Sequence, residues 1–244
     1  RRQRQMCIRD SNSIALYITA CRAKKLICVS SSIPNEFRFV KGKKEKFVTL
    51  PNAVDAQEIE KKSLEFACGQ KYDLGYCGRF SEPKNPIGFL QIVAQVKKEL
   101  PDVKAVMIGD GELRVQVLRM KQEQHLEENV DLVGFQQNPF PYIAACRVMA
   151  MPSLWEGFPM AAIEALSLGK PIVATPVSGL RDIIAEDCGG LADDVKQMAN
   201  KILFCLTASA NQYNVMAHCA RQRVRHFGDI REYINAIEKV YFSD

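Results

Sequence analysis

The sequence predicts an α/β fold, a parallel sheet covered by helices on both faces. Two observations predict it. Short apolar runs of strand length recur along the chain with little interruption, as strands buried on both faces do. Most of these runs are separated from the next by a segment of helical period, which is the pattern of βαβ units. In such sheets ligands bind beyond the carboxyl ends of the strands, so the loops that follow the strands are where function is sought.

Taken in order, Ser13 to Cys21 reads as a helix and Lys25 to Ser30 as a buried strand. Phe47 to Leu50 reads as a second strand, ended by Pro51 and Asn52. Leu74 to Gly78 is a strand, and Pro86 to Leu100 a helix on the spacing of Ile87, Leu90, Val93, Ala94 and Leu100. Val103 to Ile108 is a strand closed by Gly109-Asp110-Gly111, with a polar helix from about Glu112 to His125. Val130 to Val133, Val148 to Met151 and Pro171 to Ala174 are further strands. Asp229 to Phe242 reads as an amphipathic helix whose apolar positions are Ile230, Tyr233, Ile234, Ile237, Val240 and Tyr241. The loops of interest are those after Gly78, Gly109, Val133 and Met151. No internal repeat or low-complexity segment occurs.

The 244 residues suffice for one large domain, or for one domain with part of another. No apolar run approaches the roughly 20 residues that span a bilayer. The start, RRQRQMCIRD, has no initiator Met and no apolar signal-peptide core, and reads as the later part of a longer chain. The net charge of +5 is mild and fits phosphates in a site or an acidic membrane surface. Nucleic acid is not the expected partner, because the basic runs from Lys41 and from Arg221 read as solvated faces without interleaved aromatics. The nine cysteines are widely spaced with no C-x-x-C pair, and read as reduced, mostly buried thiols of a cytoplasmic protein. No metal site is expected from this spacing or from His125, His218 and His226.

Three loops carry candidate chemistry. Arg79 and Lys84 lie just past a strand end, where fixed positive charge would stabilise a departing diphosphate without a metal; both also fit ordinary surface residues. Gly109 and Gly111 let a backbone approach a ligand at the start of a helix, or only solve a tight connection; the full G-x-G-x-x-G of dinucleotide sites is absent. In Pro152-Ser-Leu-Trp-Glu156-Gly157-Phe158-Pro159-Met160-Ala-Ala-Ile-Glu164, Gly157 and Pro159 mark a turn, with a helix beginning near Pro159. Glu156 before that helix and Glu164 inside it are separated by roughly 12 Å if helical. That separation suits hydroxyls at the two ends of a nucleotide diphosphate sugar, with the backbone N–H groups of the helix start between them. Two glutamates alone fit a solvated helix face equally well.

In sequence order, Gly78-Arg79…Lys84, Ile108-Gly-Asp-Gly111, Val133-Gly-Phe135, Pro152-Ser153, Glu156-x7-Glu164, Gly169-Lys-Pro171 and Ser178-Gly179 resemble family 4 of the glycosyltransferases, from about Ile27 to Phe242. The resemblance implies the retaining, two-domain GT-B fold, with this chain holding the Rossmann-like carboxy-terminal domain. It implies Arg79 and Lys84 on the donor diphosphate, Glu156 on the donor sugar hydroxyls and Glu164 on the ribose. Gly157, Phe158, Pro159 and Met160 would run along sugar and phosphate, and the base would lie at Phe135, read largely by backbone. The resemblance implies no bound metal and no dependable protein nucleophile, so Glu156 is not read as one. Departures are Pro159, where many relatives have Gly, and Ala53 in place of Gly in Asn52-Ala53-Val54-Asp55.

The resemblance further divides the chain into a remnant of the amino-terminal acceptor domain with its linker (1–50), a donor-binding domain (51–226) and a carboxy-terminal crossover helix (227–244). The expected activity is transfer of a sugar from a nucleotide diphosphate sugar to a glycan or lipid-linked acceptor, in glycan, lipopolysaccharide or capsule synthesis. The expected location is the cytoplasm, peripheral at the membrane where the acceptor is lipid-linked. With the acceptor half largely missing, the chain would bind donor and transfer sugar poorly. The alternative is a non-catalytic nucleotide-binding subunit that takes its acceptor domain from a partner chain.

Overall fold

The computed structural model describes residues 17–19, 21–29, 44–50, 52–225 and 230–242. The expected helix from Ser13 to Cys21 lies partly outside these residues; 17–19 and 21–22 are helical. His226 lies outside them.

Among the described residues two parallel sheets are present. The first pairs β1 (Leu26–Cys28) with β2 (Phe47–Thr49) in the register Leu26 to Phe47. The second has six strands: β3 (Tyr72–Cys77), β4 (Ala105–Ile108), β5 (Val130–Gly134), β6 (Cys146–Met151), β7 (Ile172–Ala174) and β8 (Gly189–Leu191). Their order across the sheet is β5-β4-β3-β6-β7-β8, with every pairing parallel. The chain winds outward from β3 to one edge, then returns to β6 and winds to the other. This is the doubly wound order, and its crevice falls where β3 and β6 part.

The connecting helices are α1 (Ala56–Ser63), α2 (Pro86–Lys97), α3 (Arg114–Glu123), α4 (Phe140–Ala145), α5 (Met160–Ser167), α6 (Leu180–Ile183), α7 (Val195–Thr207), α8 (Ala210–Val224) and α9 (Ile230–Phe242). Alternation along the strands divides the core. Ala105, Met107, Val148 and Ala150 face one hydrophobic cluster with Phe89, Ile92, Met198 and Ile202 of α2 and α7. Val106, Ile108, Met149 and Met151 face the other with Ile163 and Leu166 of α5. Both sheet faces are thus dry, which is why the strands read as continuous apolar runs.

Several boundaries differ from expectation for local reasons. The helix expected from Glu112 starts at Arg114, because the Leu113 N–H donates to the Phe80 carbonyl in the loop after β3 at 2.9 Å. The helix expected to reach Leu100 ends at Lys97, where the N–H groups of Glu99 and Leu100 close a turn on the Val96 carbonyl. Pro159 is extended (ψ 98°) and caps α5 from outside, one residue before its first turn. Strand β8 had no apolar signal; it begins Gly189-Gly190, both at positive φ, and is made a strand only by pairing with β7.

Helix α9 buries none of its residues fully, and its last three, Val240, Tyr241 and Phe242, line a cavity with Thr19 and residues 23–27. Among the described residues no helix is long and apolar enough to cross a membrane.

Candidate functional site

The carboxyl ends of β3, β4, β5 and β6 hold the loops that sequence singled out. Asn85 sets the first of them. It sits in the left-handed region (φ 49°, ψ 56°), its Oδ1 accepts from the Gly88 N–H to cap α2, and its Nδ2 donates to the Pro152 carbonyl at 3.0 Å. The Leu154 N–H donates to the Pro83 carbonyl at 2.8 Å. These two bonds sew the loop after β3 to the loop after β6. Beneath them the Tyr76 hydroxyl donates to the Arg79 carbonyl at 3.0 Å and lies 3.5 Å from the Lys84 carbonyl, holding both ends of the basic loop.

That stitching brings Lys84 and Glu156 together. The Lys84 ammonium lies 2.5 Å from Glu156 Oε1, which also accepts from the Ser153 hydroxyl at 2.8 Å. Only 8% of the Glu156 side chain is exposed, against 30% for Lys84. The Ser153 carbonyl is in turn held by the Thr175 hydroxyl at 2.5 Å. Arg79 does not join this pair. Its Nε donates to Glu112 Oε2 at 3.1 Å, at the rim, with 72% of its side chain exposed. The two basic residues therefore occupy different depths and have different acidic partners.

Glu164 lies on α5, half-buried, and its carboxylate has no hydrogen-bond or ion-pair partner among the described residues, while its carbonyl accepts from the Ser167 hydroxyl. Burial raises its pKa above the usual carboxylate range. Its charge also bears on Cys77 at the end of β3, whose thiol is pushed up to about 12 by burial first and by Glu164 second. Cys77 lines a pocket of about 400 Å³ with Gly78, Arg79, Ile108, Gly109, Asp110, Phe135, Gln136 and Pro139. Phe135 is exposed at its mouth. A shift of register between β4 and β5 skips Val133, and Gly134 turns at φ 71° to aim the following residues there.

The glycines divide by role. Gly109, at φ 138°, lines the pocket, and a Cβ on it would stand 2.0 Å from the Gly78 carbonyl oxygen. Gly111 is outside the lining; a Cβ there would stand 2.5 Å from the Phe80 carbonyl oxygen, so its need is close packing of two loops. Gly157, Phe158, Pro159 and Met160 form the approach to α5, whose N-terminus has no side-chain cap. Phe158 and Met160 pack against the core cluster on that face. Gly179 (φ 57°) backs this loop, since a Cβ on it would lie 2.5 Å from the Gly157 carbonyl oxygen.

Asn85, Ser153, Thr175, Tyr76 and Glu112 were not among the expected site residues. Asn85 carried a signal, an N-cap residue directly before a proline. Ser153 lay within the Pro152-Ser153 piece of the motif order with no role attached, and Tyr76, Thr175 and Glu112 had no signal, because their partners are distant in sequence or reached through a turn. Among the described residues no group of three or more His, Cys, Asp or Glu side chains could hold a metal ion.

A doubly wound α/β domain with its polar groups gathered at the β3–β6 crevice is built to bind a ligand there, and likeness to known proteins gives it the GT-B fold. HepE of Anabaena, solved in complex with UDP-glucose, superposes with a TM-score of 0.82 at 22% identity, over 96% of this chain and 68% of that one. Residues 71–208 match the family model described as Glycosyl transferases group 1, and the chain belongs to that family. Among curated proteins, a Campylobacter jejuni N-acetylgalactosamine-N,N'-diacetylbacillosaminyl-diphospho-undecaprenol 4-alpha-N-acetylgalactosaminyltransferase is 36% identical over 153 residues, 62% of this chain and 41% of that protein. An Escherichia coli UDP-Gal:alpha-D-GlcNAc-diphosphoundecaprenol alpha-1,3-galactosyltransferase is 25% identical over 210 residues, 81% of this chain and 54% of that protein. The chain spans about half the length of the curated relatives it matches.

Proposed function

We propose that this chain carries the donor side of a retaining glycosyltransferase that takes a sugar from a nucleoside diphosphate sugar. The observation that carries the reading is the half-buried Lys84–Glu156 pair in the β3–β6 crevice. A Lys whose carboxylate partner also faces the crevice can hold a diphosphate oxygen while Glu156 Oε2, which accepts no hydrogen bond among the described residues, takes a sugar hydroxyl. The base and ribose belong in the pocket beside Phe135, with Glu164 accepting from the ribose hydroxyls. A half-buried carboxylate with no partner is costly to hold, and a ligand bearing two hydroxyls relieves it. The first N–H groups of α5, uncapped by any side chain, suit the diphosphate between.

In the reaction, the bond from the anomeric carbon to the diphosphate oxygen breaks and its electron pair leaves with the phosphate. Lys84 and Arg79 stabilise that charge. The acceptor hydroxyl attacks the same face and its proton passes to the departing diphosphate oxygen. Glu156 Oε1 is already engaged by Lys84 and Ser153, which favours a hydroxyl-binding role over a nucleophilic one. No metal or other cofactor enters this scheme. The acceptor we propose is a lipid-linked glycan, the class named for both curated relatives, and the place we propose for it is a cytoplasmic membrane face. We further propose the division into an amino-terminal remnant, a donor domain and a crossover helix α9.

The test is calorimetric titration of the chain with UDP, GDP and ADP and their sugars, on the wild type and Glu164→Ala. One nucleotide should bind, and the variant should weaken it by about tenfold, the value of a charge-assisted hydrogen bond. Binding of none by the wild type refutes the donor site. Equal binding by the variant refutes the ribose role of Glu164.

A further inference from the structure

The two basic residues of the crevice are not equally available. Lys84 is committed to a buried carboxylate, and Arg79 to an exposed one on a different loop. The Glu112 carboxylate has the Arg79 guanidinium as its sole partner among the described residues, and the guanidinium has that carboxylate. The pairing is built by the backbone. The Phe80 N–H donates to the Asp110 carbonyl at 2.9 Å, and the Phe80 carbonyl accepts from the Leu113 N–H at 2.9 Å. Arg79 and Glu112 adjoin these two links, and Gly111 between them lies flat on Phe80. The register of the two loops thus brings the guanidinium within reach of the carboxylate. Asp110, also nearby, is occupied by the Gly111 N–H and by Arg114.

We infer that Glu112 is a positioning residue that sets donor affinity through Arg79: it holds the guanidinium at the pocket rim and competes with the diphosphate for it. This rests on the donor-site reading above. An incoming diphosphate must take Arg79 from Glu112, and a departing nucleoside diphosphate returns it. Glu112 thereby weakens ground-state binding of donor and product alike and speeds release of the product. An exposed pair of this kind is worth at most about a fivefold change in affinity, so the effect is a tuning and not a switch.

The experiment is titration of the chain with UDP, GDP and ADP at low and at high salt, for wild type, Glu112→Gln, Arg79→Ala and the double variant. For the nucleotide that binds, Glu112→Gln should bind about two- to fivefold tighter at low salt, and the gain should shrink as salt is raised. Arg79→Ala should weaken binding, and in that background Glu112→Gln should change affinity by less than about 1.5-fold. Glu112→Asp, which keeps the charge, should stay near wild type. Unfolding midpoints of all five proteins should agree closely, since the pair is exposed. Equal or weaker binding by Glu112→Gln overturns the inference while leaving the donor site intact. The same gain with and without Arg79 overturns it too, because Glu112 would then act on the ligand directly. Failure of the wild type to bind any of the three nucleotides overturns both this inference and the donor-site reading.

Discussion

Replacing Lys84 by Met keeps the length of the side chain and removes its charge. In the wild type the ammonium stands 2.5 Å from Glu156 Oε1, with the carboxylate side chain 8% exposed. Two unit charges about 3 Å apart attract by about 5 kcal/mol at an effective dielectric near 20, and desolvation of both groups offsets much of that. Lys84→Met does not recover the desolvation. It leaves Glu156 buried with only the Ser153 hydroxyl, 2.8 Å away, to hold it. One-sided removal from a buried pair costs about 3–5 kcal/mol, and the partial exposure of Lys84 lowers this to about 2 kcal/mol. In a domain of this size that is a fall of about 4–8 °C in Tm. Urea denaturation of wild type, Lys84→Met, Glu156→Gln and the double variant measures it. The double variant should lose less than the sum of the singles, with a coupling of about 1.5 kcal/mol. A loss below about 0.5 kcal/mol for Lys84→Met, with no coupling, would show that the pair is solvated and that the crevice does not isolate it from water.

Other expectations follow from the same geometry. Burial raises the Glu164 pKa, so the fold favours its neutral form; its contribution to stability is full below the unfolded pKa near 4.3 and is lost as pH rises through the folded value. Glu164→Gln should therefore raise the urea midpoint at pH 7, with the gain closing below about pH 4, and an equal gain at both pH values would contradict this. Gly111→Ala must displace the Phe80 carbonyl, 2.5 Å from the new Cβ, and should cost about 1–3 kcal/mol in urea denaturation; a neutral result would mean that the two loops part freely. The Cys77 thiol, pushed up to about 12, should alkylate with iodoacetamide at pH 7.5 about a hundredfold more slowly than exposed Cys21, as read by peptide mass spectrometry. Comparable rates would place Cys77 in water.

Much of the sheet was legible because its strands are buried on both sides and so appear as apolar runs without alternation. Strand β8 was not, since Gly189-Gly190-Leu191 has no such run. Helices α7 and α8 carried signals that periodicity alone passed over: Asp194 accepts from the Gln197 N–H, and Ser209 and Gln212 form a capping box. The candidate site was legible as a set of loops. Gly109 and Gly111 were two readings of one motif, and the structure separates them: the first lines the pocket, and the second is fixed by contact with Phe80.

By itself the sequence determined the alternation of strand and helix, the polar residues at strand ends, and the order of motifs that marks the family. Those are local properties, set by side-chain period and turn chemistry within a few residues of each position. Which charged groups meet was decided by the tertiary structure. Lys84 and Glu156 are 72 residues apart and meet because β3 and β6 are neighbours in the sheet. Arg79, five residues from Lys84, turns instead to Glu112 because the β4 loop is bonded to Phe80. Strand order brings distant loops together, and the hydrogen bonds between those loops then fix which charges pair.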